Sequence, residues 1–521
     1  MDTLLNRFNT KVNSVLTGFD RIVFKGIVRP IMHSAGMESF LSARKVLNKD
    51  FKDYAIKQSQ TIDSAAEEIA KAQSGRGVTY IPSPKERKET LAHMRQEETG
   101  VKEGLIGVWS CVEPCNTFKS TYDPTKTYPS LRFEGSKCKH LYYYFDDPVY
   151  GFMSVRLQTW APYEIQVALN GREWLRRSLD ASGCGFVVNG NKFLHIDDYA
   201  LAQRLLDEQV SADFNKVLKG FLPSVFPVMP DVLGKGLSYY WTFWQSEVAK
   251  DYIFRDDKAL AALMDDFQLH AMITGNGDRI LKYFGSPIRA DGQAYRGKNP
   301  EIYSRTRNWY DGARVRHRNG KNSVKFYNEH NVLRFEMTMN DPKVFKIYRN
   351  SESQYEGEPK KFMQMRKGIA DAVARTEVSK AIIDRFTEHM AAVKEHTRLG
   401  AMLDFVETPL VQEGKRTRSP DVFGKDRAFL RAISDPALDI HAITNKQLQG
   451  ILKGTPWAKN MTGKQLSGRI TRHLALLRKY GLIKQLPKQR KYVLTDIGRR
   501  ITAALKISLA TSVDALLKLA A

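Results

Sequence analysis

The alternation of apolar and polar positions along the first 130 residues predicts a mixed α/β segment. The run GFDRIVFKGIV, from Gly18 to Val28, is rich in β-branched and aromatic residues and is typical of a strand. Residues 36–73 have helical spacing and end at the glycines after position 74. Short strands and a charged helix at Lys85 to Glu98 follow. We therefore expect a domain over 1–130 in which helices pack on a sheet.

Residues 131–225 are predicted to form a strand-rich domain with helices. Four short runs between 131 and 170 are separated by turn signals, which favours an antiparallel meander. A helix capped by Asn170 and a helical stretch over 197–219 come next. Three prolines punctuate the chain near residue 225 and predict a domain boundary there.

The third predicted domain, 226–410, is helical with a central antiparallel sheet. Its pattern is helical through about residue 284, strand-rich over 312–349, and helical again over 361–400. The basic, proline-containing segment 406–424 is predicted to be a linker.

Residues 425–521 give the clearest pattern in the chain. Three helices are followed by a strand, a basic turn, a second strand and a closing helix. Thr444 or Asn445 caps the second helix, Thr462 caps the third, and Gly481 ends it. The order is that of a winged helix, so the predicted fold class is a multidomain α+β protein with antiparallel-sheet-containing central domains and a C-terminal winged helix.

Composition restricts the class of protein. Apolar residues make up 42% of the 521 positions, which is enough for packed cores. No apolar run reaches 18 residues, so no membrane contact is predicted. The first 16 residues lack the apolar stretch of a signal peptide, and only four cysteines occur, so a cytoplasmic location is expected.

The net charge of +24 points to a polyanionic partner. Between Lys415 and Arg500 there are 20 Lys or Arg against 5 Asp, and between Arg305 and Arg349 there are 11 against 4 acids. Nucleic acid is the leading partner, with DNA ahead of RNA. The alternative is a soluble basic protein, similar in charge to a ribosomal protein, that does not use its charge in this way.

The segment ITRHLALLRKYGLI followed by KYVLTDIGRRI resembles the winged helix-turn-helix domains of MarR- and ArsR-type bacterial regulators. In such a domain the third helix lies in the DNA groove and the wing reaches the backbone. On this resemblance, the third helix and the wing supply the contacts. The predicted nucleic-acid-binding residues here are Lys464, Arg469, Arg472, His473, Lys488, Arg490 and Lys491. Protein or RNA contact is the alternative use of such a domain.

The strand-rich block 312–349 is the second basic region. On its predicted strand 331–339, Arg334, Glu336 and Thr338 share one face because side chains alternate along a strand. Cations on the neighbouring strands complete a predicted nucleic-acid-binding surface. They are Arg314, Arg316, Arg318, Lys321 and Lys325.

The segment SVKFYNE followed by VLRFEM is similar to a stretch of phage and plasmid replication initiator proteins. Members of that family nick DNA with a tyrosine and a metal held by carboxylates. The resemblance implies Tyr327 as a nucleophile, Glu336 as a ligand of Mg²⁺ or Mn²⁺, and an origin in a replicon or mobile element. The His-hydrophobic-His metal motif of such enzymes is absent. The alternative is that Glu336 pairs with Arg334 or Lys325.

A second candidate metal set combines three cysteines and a histidine. Cys111, Cys115, Cys138 and His140 are soft ligands of the kind that hold structural zinc. Neither pair has the two-residue spacing that is diagnostic, and ordinary reduced thiols are the alternative.

Other acids and aromatics carry weaker signals. Asp20 lies in the first strong strand, and Asp146 and Asp147 precede a proline, which favours a turn over a metal site. His195 is expected at the surface. The aromatic cluster from Tyr239 to Trp244 is interpreted as core, with stacking on unpaired bases as the alternative. Phosphate-binding loop, dinucleotide and serine-hydrolase motifs are absent from the sequence.

Two functions remain open from the sequence. The first is a nucleic-acid-binding protein that uses the basic winged helix and the basic central sheet. The alternative is a metal-dependent nicking or strand-transfer enzyme of the replication-initiator or transposase type.

Overall fold

The computed structural model has an α+β fold built around one large sheet. Across the residues that the structure describes, eleven strands form this sheet, and four further strand pairs form small two-stranded sheets. The structure describes residues 2–122, 124–125, 127–234, 236–275, 277–285, 302–309, 312–350, 361–393, 403–404, 406–412, 415–435, 438, 442–486 and 489–510.

The strands are described in chain order. They are β1 (Val12–Ile27), β2 (Thr79–Tyr80), β3 (Gly104–Thr121), β4 (Ser130–Asp147), β5 (Gly151–Gln158), β6 (Ile165–Asn170), β7 (Phe186–Asn189), β8 (Lys192–Ile196), β9 (Tyr240–Phe254), β10 (Ile302–Trp309), β11 (Gly312–Asn319), β12 (Asn322–Glu329), β13 (Val332–Met339), β14 (Lys346–Arg349), β15 (Lys361–Gln364), β16 (Leu410–Gln412), β17 (Lys415–Thr417), β18 (Ile483–Gln485) and β19 (Tyr492–Leu494).

The α-helices discussed below are also numbered in chain order. They are α1 (Thr3–Arg7), α2 (Ser34–Ser42), α3 (Phe51–Ser74), α4 (Lys88–Thr99), α5 (Gly171–Ala181), α6 (Tyr199–Val210), α7 (Phe214–Val225), α8 (Met229–Leu233), α9 (Asp257–Thr274), α10 (Gly277–Tyr283), α11 (Ala372–Met390), α12 (Arg427–Ile433), α13 (Asn445–Leu452), α14 (Gly463–Lys479) and α15 (Asp496–Ala510).

The large sheet has the strand order β10-β11-β12-β13-β9-β1-β6-β5-β4-β3-β2. Its neighbours pair antiparallel, except for the short parallel pair β2–β3 at one edge. β1 and β9 lie at the centre and pair along almost their whole length, with shifts in register that include one at Phe19/Arg21 and one at Val23/Phe24. Strands from the predicted segments 1–130, 131–225 and 226–410 thus belong to one sheet. The division of the chain into folding units remains a prediction.

Helices cover the two faces of the sheet in different places. On one face, Phe386 of α11 packs on Phe326 and Phe335, with ring centroids 5.9 and 5.4 Å apart. On the other face, Leu175 of α5 belongs to a core with Ile253 and Val332. Because Val332 and Phe335 point to opposite faces of β13, α5 and α11 lie on opposite sides of the sheet.

The prediction that the chain is helical from 226 to about 284 is wrong for β9. This strand has alternating buried positions at its start, where Trp241 and Phe243 lie in the core. In its second half, β1 and β13 pair with the two edges of β9, and core residues on both sides of the sheet cover its faces. Lys250 and Asp251 are buried there in ion pairs, and these charges obscured the strand pattern.

Other predicted elements differ in their bounds. The helix over 36–73 is two helices, α2 and α3, and the second ends at Gly75 with φ 68° as expected. The meander is confirmed, with three strands rather than four, since β4 joins two of the predicted runs. The strand over 344–349 pairs with β15 in a separate small sheet rather than in the central one.

The C-terminal elements follow the predicted order. Helices α12, α13 and α14 precede the paired strands β18 and β19, and α15 closes the region. Thr444 and Thr462 cap α13 and α14, each in a capping box, and Gly481 takes a φ of 66° just beyond α14. The segment predicted as a linker contributes Val406 and Val422 to the hydrophobic core of the C-terminal region, and it carries the hairpin β16–β17.

Candidate nucleic-acid interface and carboxylate cluster

Three neighbouring strands carry rows of cations on one face of the large sheet. The register pairs Arg305 of β10 with Arg316 of β11, and Arg316 in turn with Lys325 of β12. Arg307 lies opposite Arg314 in the same way. Directly paired residues point to the same face, so these five side chains form one surface, which we call the basic face.

The basic face is accessible at the edge of the sheet. Arg305 and Arg307 are exposed, while Arg314 and Arg316 are half-buried. Lys321 lies exposed in the turn between β11 and β12. On the opposite face of β11 and β12, Val315 and Phe326 lie in the core. The strand-rich block predicted over 312–349 is confirmed here by β11, β12 and β13.

Aromatic rings lie among these cations. The Arg314 guanidinium lies 4.3 Å from the centroid of the Trp309 ring, and Trp309 contacts Tyr327 at 5.2 Å. Arg318 donates a hydrogen bond of 2.8 Å to the hydroxyl of Tyr303. Arginines held flat against aromatic rings present their remaining N–H groups in a fixed orientation.

A cluster of carboxylates adjoins the basic face at the centre of the sheet. Asp20 of β1, Glu247 of β9 and Glu336 of β13 each place a carboxylate oxygen within 4.8 Å of the others. The three strands are neighbours, and Asp20 lies at the register shift of β1, which turns its side chain to this face. Hard oxygen ligands at this spacing suit Mg²⁺ or Mn²⁺.

Buried arginines hold Asp20 in place. Arg334 donates hydrogen bonds of 2.6 and 2.8 Å to the two oxygens of Asp251, one of 2.8 Å to Asp20 and one of 2.7 Å to the carbonyl of Asn191. Arg172 lies 3.0 Å from Asp251. Burial alone would raise the pKa of Asp20, but the charges of Arg334 and Arg172 outweigh it and lower that pKa.

Glu247 differs from the other two acids. It is only half-buried by its side-chain exposure, yet burial of its carboxyl group and the negative charge of Glu336 raise its pKa to about 8. This carboxyl therefore holds its proton more tightly than an ordinary glutamate does. A divalent cation would replace that proton, because a ligating carboxylate must be ionised.

Glu336 forms an ion pair with Lys325, which is one of the two pairings that the alternative interpretation named. The Lys325 ammonium lies 2.6 Å from Glu336, whereas Arg334 bonds to the two aspartates instead. The Tyr327 hydroxyl donates to Glu336 at 3.3 Å. Burial raises the pKa of Tyr327 well above its ordinary value, which opposes formation of the phenolate that a nucleophile needs.

Sequence reasoning named Asp20 and Glu336 separately and missed Glu247. The available signal was an acid directly before the apolar pair Val248 and Ala249, but this segment is predicted as helix from the sequence, which hides its place in a strand. Asp146 and Asp147 lie elsewhere: Asp147 accepts two backbone N–H groups in the predicted turn, and Asp146 pairs with Arg177. His195 is at the surface, as expected, beside Asp197.

The candidate zinc residues share one face of β3 and β4. The sulfurs of Cys115 and Cys138 are 3.2 Å apart. His140 is buried, its Nδ1 lies 3.1 Å from the Cys138 carbonyl, and burial lowers its pKa to about 4. Cys111 lies opposite His140 in the register. Among the described residues the four do not form a group with all ligand atoms within 4.8 Å of one another, and zinc remains a prediction.

The predicted contact residues of the C-terminal region have different environments. Lys464 and Arg472 are exposed on α14, and Arg490 and Lys491 are exposed before β19. Lys488 lies outside the described residues.

Two further predicted contacts on α14 are engaged internally. Arg469 donates to the Trp457 carbonyl at 2.7 Å, with its guanidinium 4.0 Å from the ring centroid. The Nε2 atom of His473 lies 3.0 Å from Asp426. Burial would raise the pKa of Asp426, but hydrogen bonds from His473 and Arg418 lower it. Both side chains therefore fix the C-terminal core.

No family model, curated protein or solved structure matches this chain. In the part of the chain that the structure describes, no helix has the length and apolar character that crossing a membrane requires.

Proposed function

We propose that this protein binds nucleic acid, DNA ahead of RNA, through the basic face and the C-terminal region. The observation that carries the proposal is the cross-strand arrangement of Arg305, Arg316 and Lys325, with Arg307 opposite Arg314. Glu336 already neutralises Lys325, so the repulsion that remains is among the four arginines, and a polyanion would relieve it. A phosphate backbone supplies a row of negative charges for this purpose.

The C-terminal elements support the same proposal. Their order matches that of a winged helix, and exposed Lys464 and Arg472 lie on the helix that would enter a groove. The net charge of +24 supports a polyanionic partner. A cytoplasmic location and an origin in a replicon or mobile element belong to the same proposal.

The test is fluorescence anisotropy with labelled duplex DNA, single-stranded DNA and structured RNA over a salt series. We expect the logarithm of affinity to fall steeply with the logarithm of salt, because binding releases counterions. Replacing Arg305 and Arg307 with glutamine should reduce the slope by about 1.8 on duplex DNA. The matched control replaces exposed Lys52 and Lys57 of α3, which removes the same charge elsewhere. A salt-independent affinity would refute the proposal.

The carboxylate cluster favours a second candidate function, metal-dependent cleavage or transfer of a phosphodiester bond. Asp20, Glu247 and Glu336 lie beside cations that would attract the substrate backbone, and a divalent ion there would polarise a phosphoryl oxygen. Asp20 is balanced by Arg334, and Glu336 is balanced by Lys325. Such pairing is also expected of a surface that only binds nucleic acid, so cleavage must be tested separately.

The decisive assay incubates supercoiled plasmid with the protein and Mg²⁺ or Mn²⁺. Under this second candidate, the parent nicks or linearises the plasmid, and Glu336→Gln abolishes cleavage while leaving binding intact or tighter. The Asp147→Asn variant is the control, because Asp147 accepts backbone hydrogen bonds in a distant turn. An intact plasmid with the parent protein, or cleavage by Glu336→Gln at the parent rate, would exclude the assignment.

A further inference from the structure

One large aromatic side chain near the carboxylate cluster is not part of the core. Trp244 is 45% exposed, although its neighbours Trp241 and Phe243 are buried. It lies at the register shift where Val23 pairs with Gln245 and Phe24 with Phe243, so Trp244 has no partner residue on β1. A bulge of this kind redirects a side chain out of the regular alternation of the strand.

Two lysines flank the exposed indole. The Lys25 ammonium lies 4.9 Å from the ring centroid of Trp244, and the Lys367 ammonium lies 5.4 Å from it. Lys25 is also paired with Glu164 at 2.7 Å, so Lys367 is the lysine that offers its charge to a flanking phosphate. The ring itself offers a flat surface to a base.

The register places this ring on the same face as the carboxylate cluster. Lys25 is paired with Thr242, and Arg21 is paired with Glu247, so Lys25, Arg21 and Glu247 point to one side. Trp244 is three residues from Glu247, a separation of roughly 10 Å along a strand. A second aromatic continues the track, because Arg29 lies 3.2 Å from the centroid of half-exposed Tyr240.

We propose that Trp244, flanked by Lys25 and Lys367, is a stacking site for an unpaired nucleobase of single-stranded nucleic acid. This inference rests on the proposed nucleic-acid binding and names the form of the ligand. A duplex keeps its bases stacked on one another, so only a single strand or a locally opened one presents a free base face. The strand would then pass from Trp244 toward Glu247.

The test compares binding of a labelled thymidine oligonucleotide of 12 nucleotides and of a blunt duplex by the parent, Trp244→Leu and Trp244→Phe. We expect Trp244→Leu to lose roughly 5- to 100-fold in affinity for the single strand, with less than about 2-fold for the duplex. Trp244→Phe retains a ring and should lose less than Trp244→Leu. Tyr128→Leu is the control, since Tyr128 is 77% exposed at a distant loop.

The outcomes separate this inference from the proposal on which it rests. If the parent binds both ligands with a steep salt dependence and Trp244→Leu binds the single strand as the parent does, the stacking site is refuted and nucleic-acid binding stands. Equal losses for single strand and duplex would also refute it. If the parent binds neither ligand, both proposals fail. Circular dichroism of each variant should match the parent, and the Trp244→Phe variant keeps the test valid if Trp244→Leu unfolds.

Discussion

Replacing Arg334 with methionine removes the cation that joins β13 to Asp251 and to Asp20, a member of the carboxylate cluster. The guanidinium is 1% exposed and donates to both oxygens of Asp251, to Asp20 and to the Asn191 carbonyl. Methionine has a similar length but offers no N–H group. The substitution therefore leaves two buried carboxylates with one fewer positive partner.

The expected cost follows from the contacts that remain. Removing one partner of a buried ion pair costs about 3–5 kcal/mol, because the other charge stays buried without compensation. Arg172 still lies 3.0 Å from Asp251, so we expect the lower end of that range, about 3 kcal/mol. Arg334→Lys keeps the charge but loses the two-pronged contact with Asp251, and about 1–2 kcal/mol should be lost.

Urea unfolding followed by circular dichroism measures these losses as a lower midpoint with an unchanged slope. Arg307→Met is the matched control, because Arg307 is exposed and the change should stay within about 0.5 kcal/mol. Adding Asp251→Asn to each background should reveal a coupling of about 1–3 kcal/mol between Arg334 and Asp251. If Arg334→Met unfolds at the same midpoint as Arg307→Met, the reasoning on this network is wrong.

Three further predictions test other parts of the account. Burial lowers the pKa of His317 to about 4 from 6.5, so its contribution to stability is complete above pH 6.5 and is lost as the pH falls toward 4. Buried His140 has a similarly lowered pKa, so the test is a difference: over that window His317→Gln should lose about 3 kcal/mol less than the parent in urea titrations. Gly171→Ala would place a Cβ 2.4 Å from the Phe19 carbonyl oxygen and should cost roughly 1–3 kcal/mol, whereas Gly220→Ala, with open space around it, should be neutral or stabilising by up to about 1 kcal/mol in the same assay. The double variant Lys464→Ala with Arg472→Ala should lower the salt slope of DNA binding by about 1.8 without loss of stability, whereas Arg469→Ala should destabilise the C-terminal core by about 1–2 kcal/mol. If Arg469→Ala lowered the salt slope as much as the double variant does, the division into contact residues and core residues would be contradicted.

The C-terminal region was predictable because its signals are local. Thr444 and Thr462 cap their helices through side chains three residues away, and Gly481 ends α14 through its own backbone conformation. The alternation over 331–339 was equally local, since it depends only on the period of a strand. Such features need no knowledge of distant partners.

The centre of the large sheet was not predictable in this way. β9 contains Lys250 and Asp251, and their burial depends on Asp384 and Arg334, which are far away in the sequence. Without those partners the pattern lacks the apolar continuity of a central strand. The same error hid Glu247, so the carboxylate cluster could be named only in part, from Asp20 and Glu336.

The exposed position of Trp244 depends on a bulge that could not be predicted from the sequence. The aromatic cluster was interpreted as core, and this is correct for Tyr239, Trp241 and Phe243. The shift in register between β1 and β9 removes Trp244 from that pattern. Only the pairing of two strands more than 200 positions apart determines which of these aromatic residues reaches the surface.

The most direct test of the central claim is ultraviolet cross-linking of the full chain to a labelled oligonucleotide, followed by mass spectrometry of the cross-linked peptides. If the basic face binds nucleic acid, cross-links should fall on peptides of β10–β12 and on the Trp244 bulge, and 0.5 M salt should remove them. The paired change of Arg305 and Arg307 to glutamine should reduce the β10–β12 cross-links selectively. Cross-links confined to residues 425–510, with those two arginines replaceable without effect, would contradict the claim.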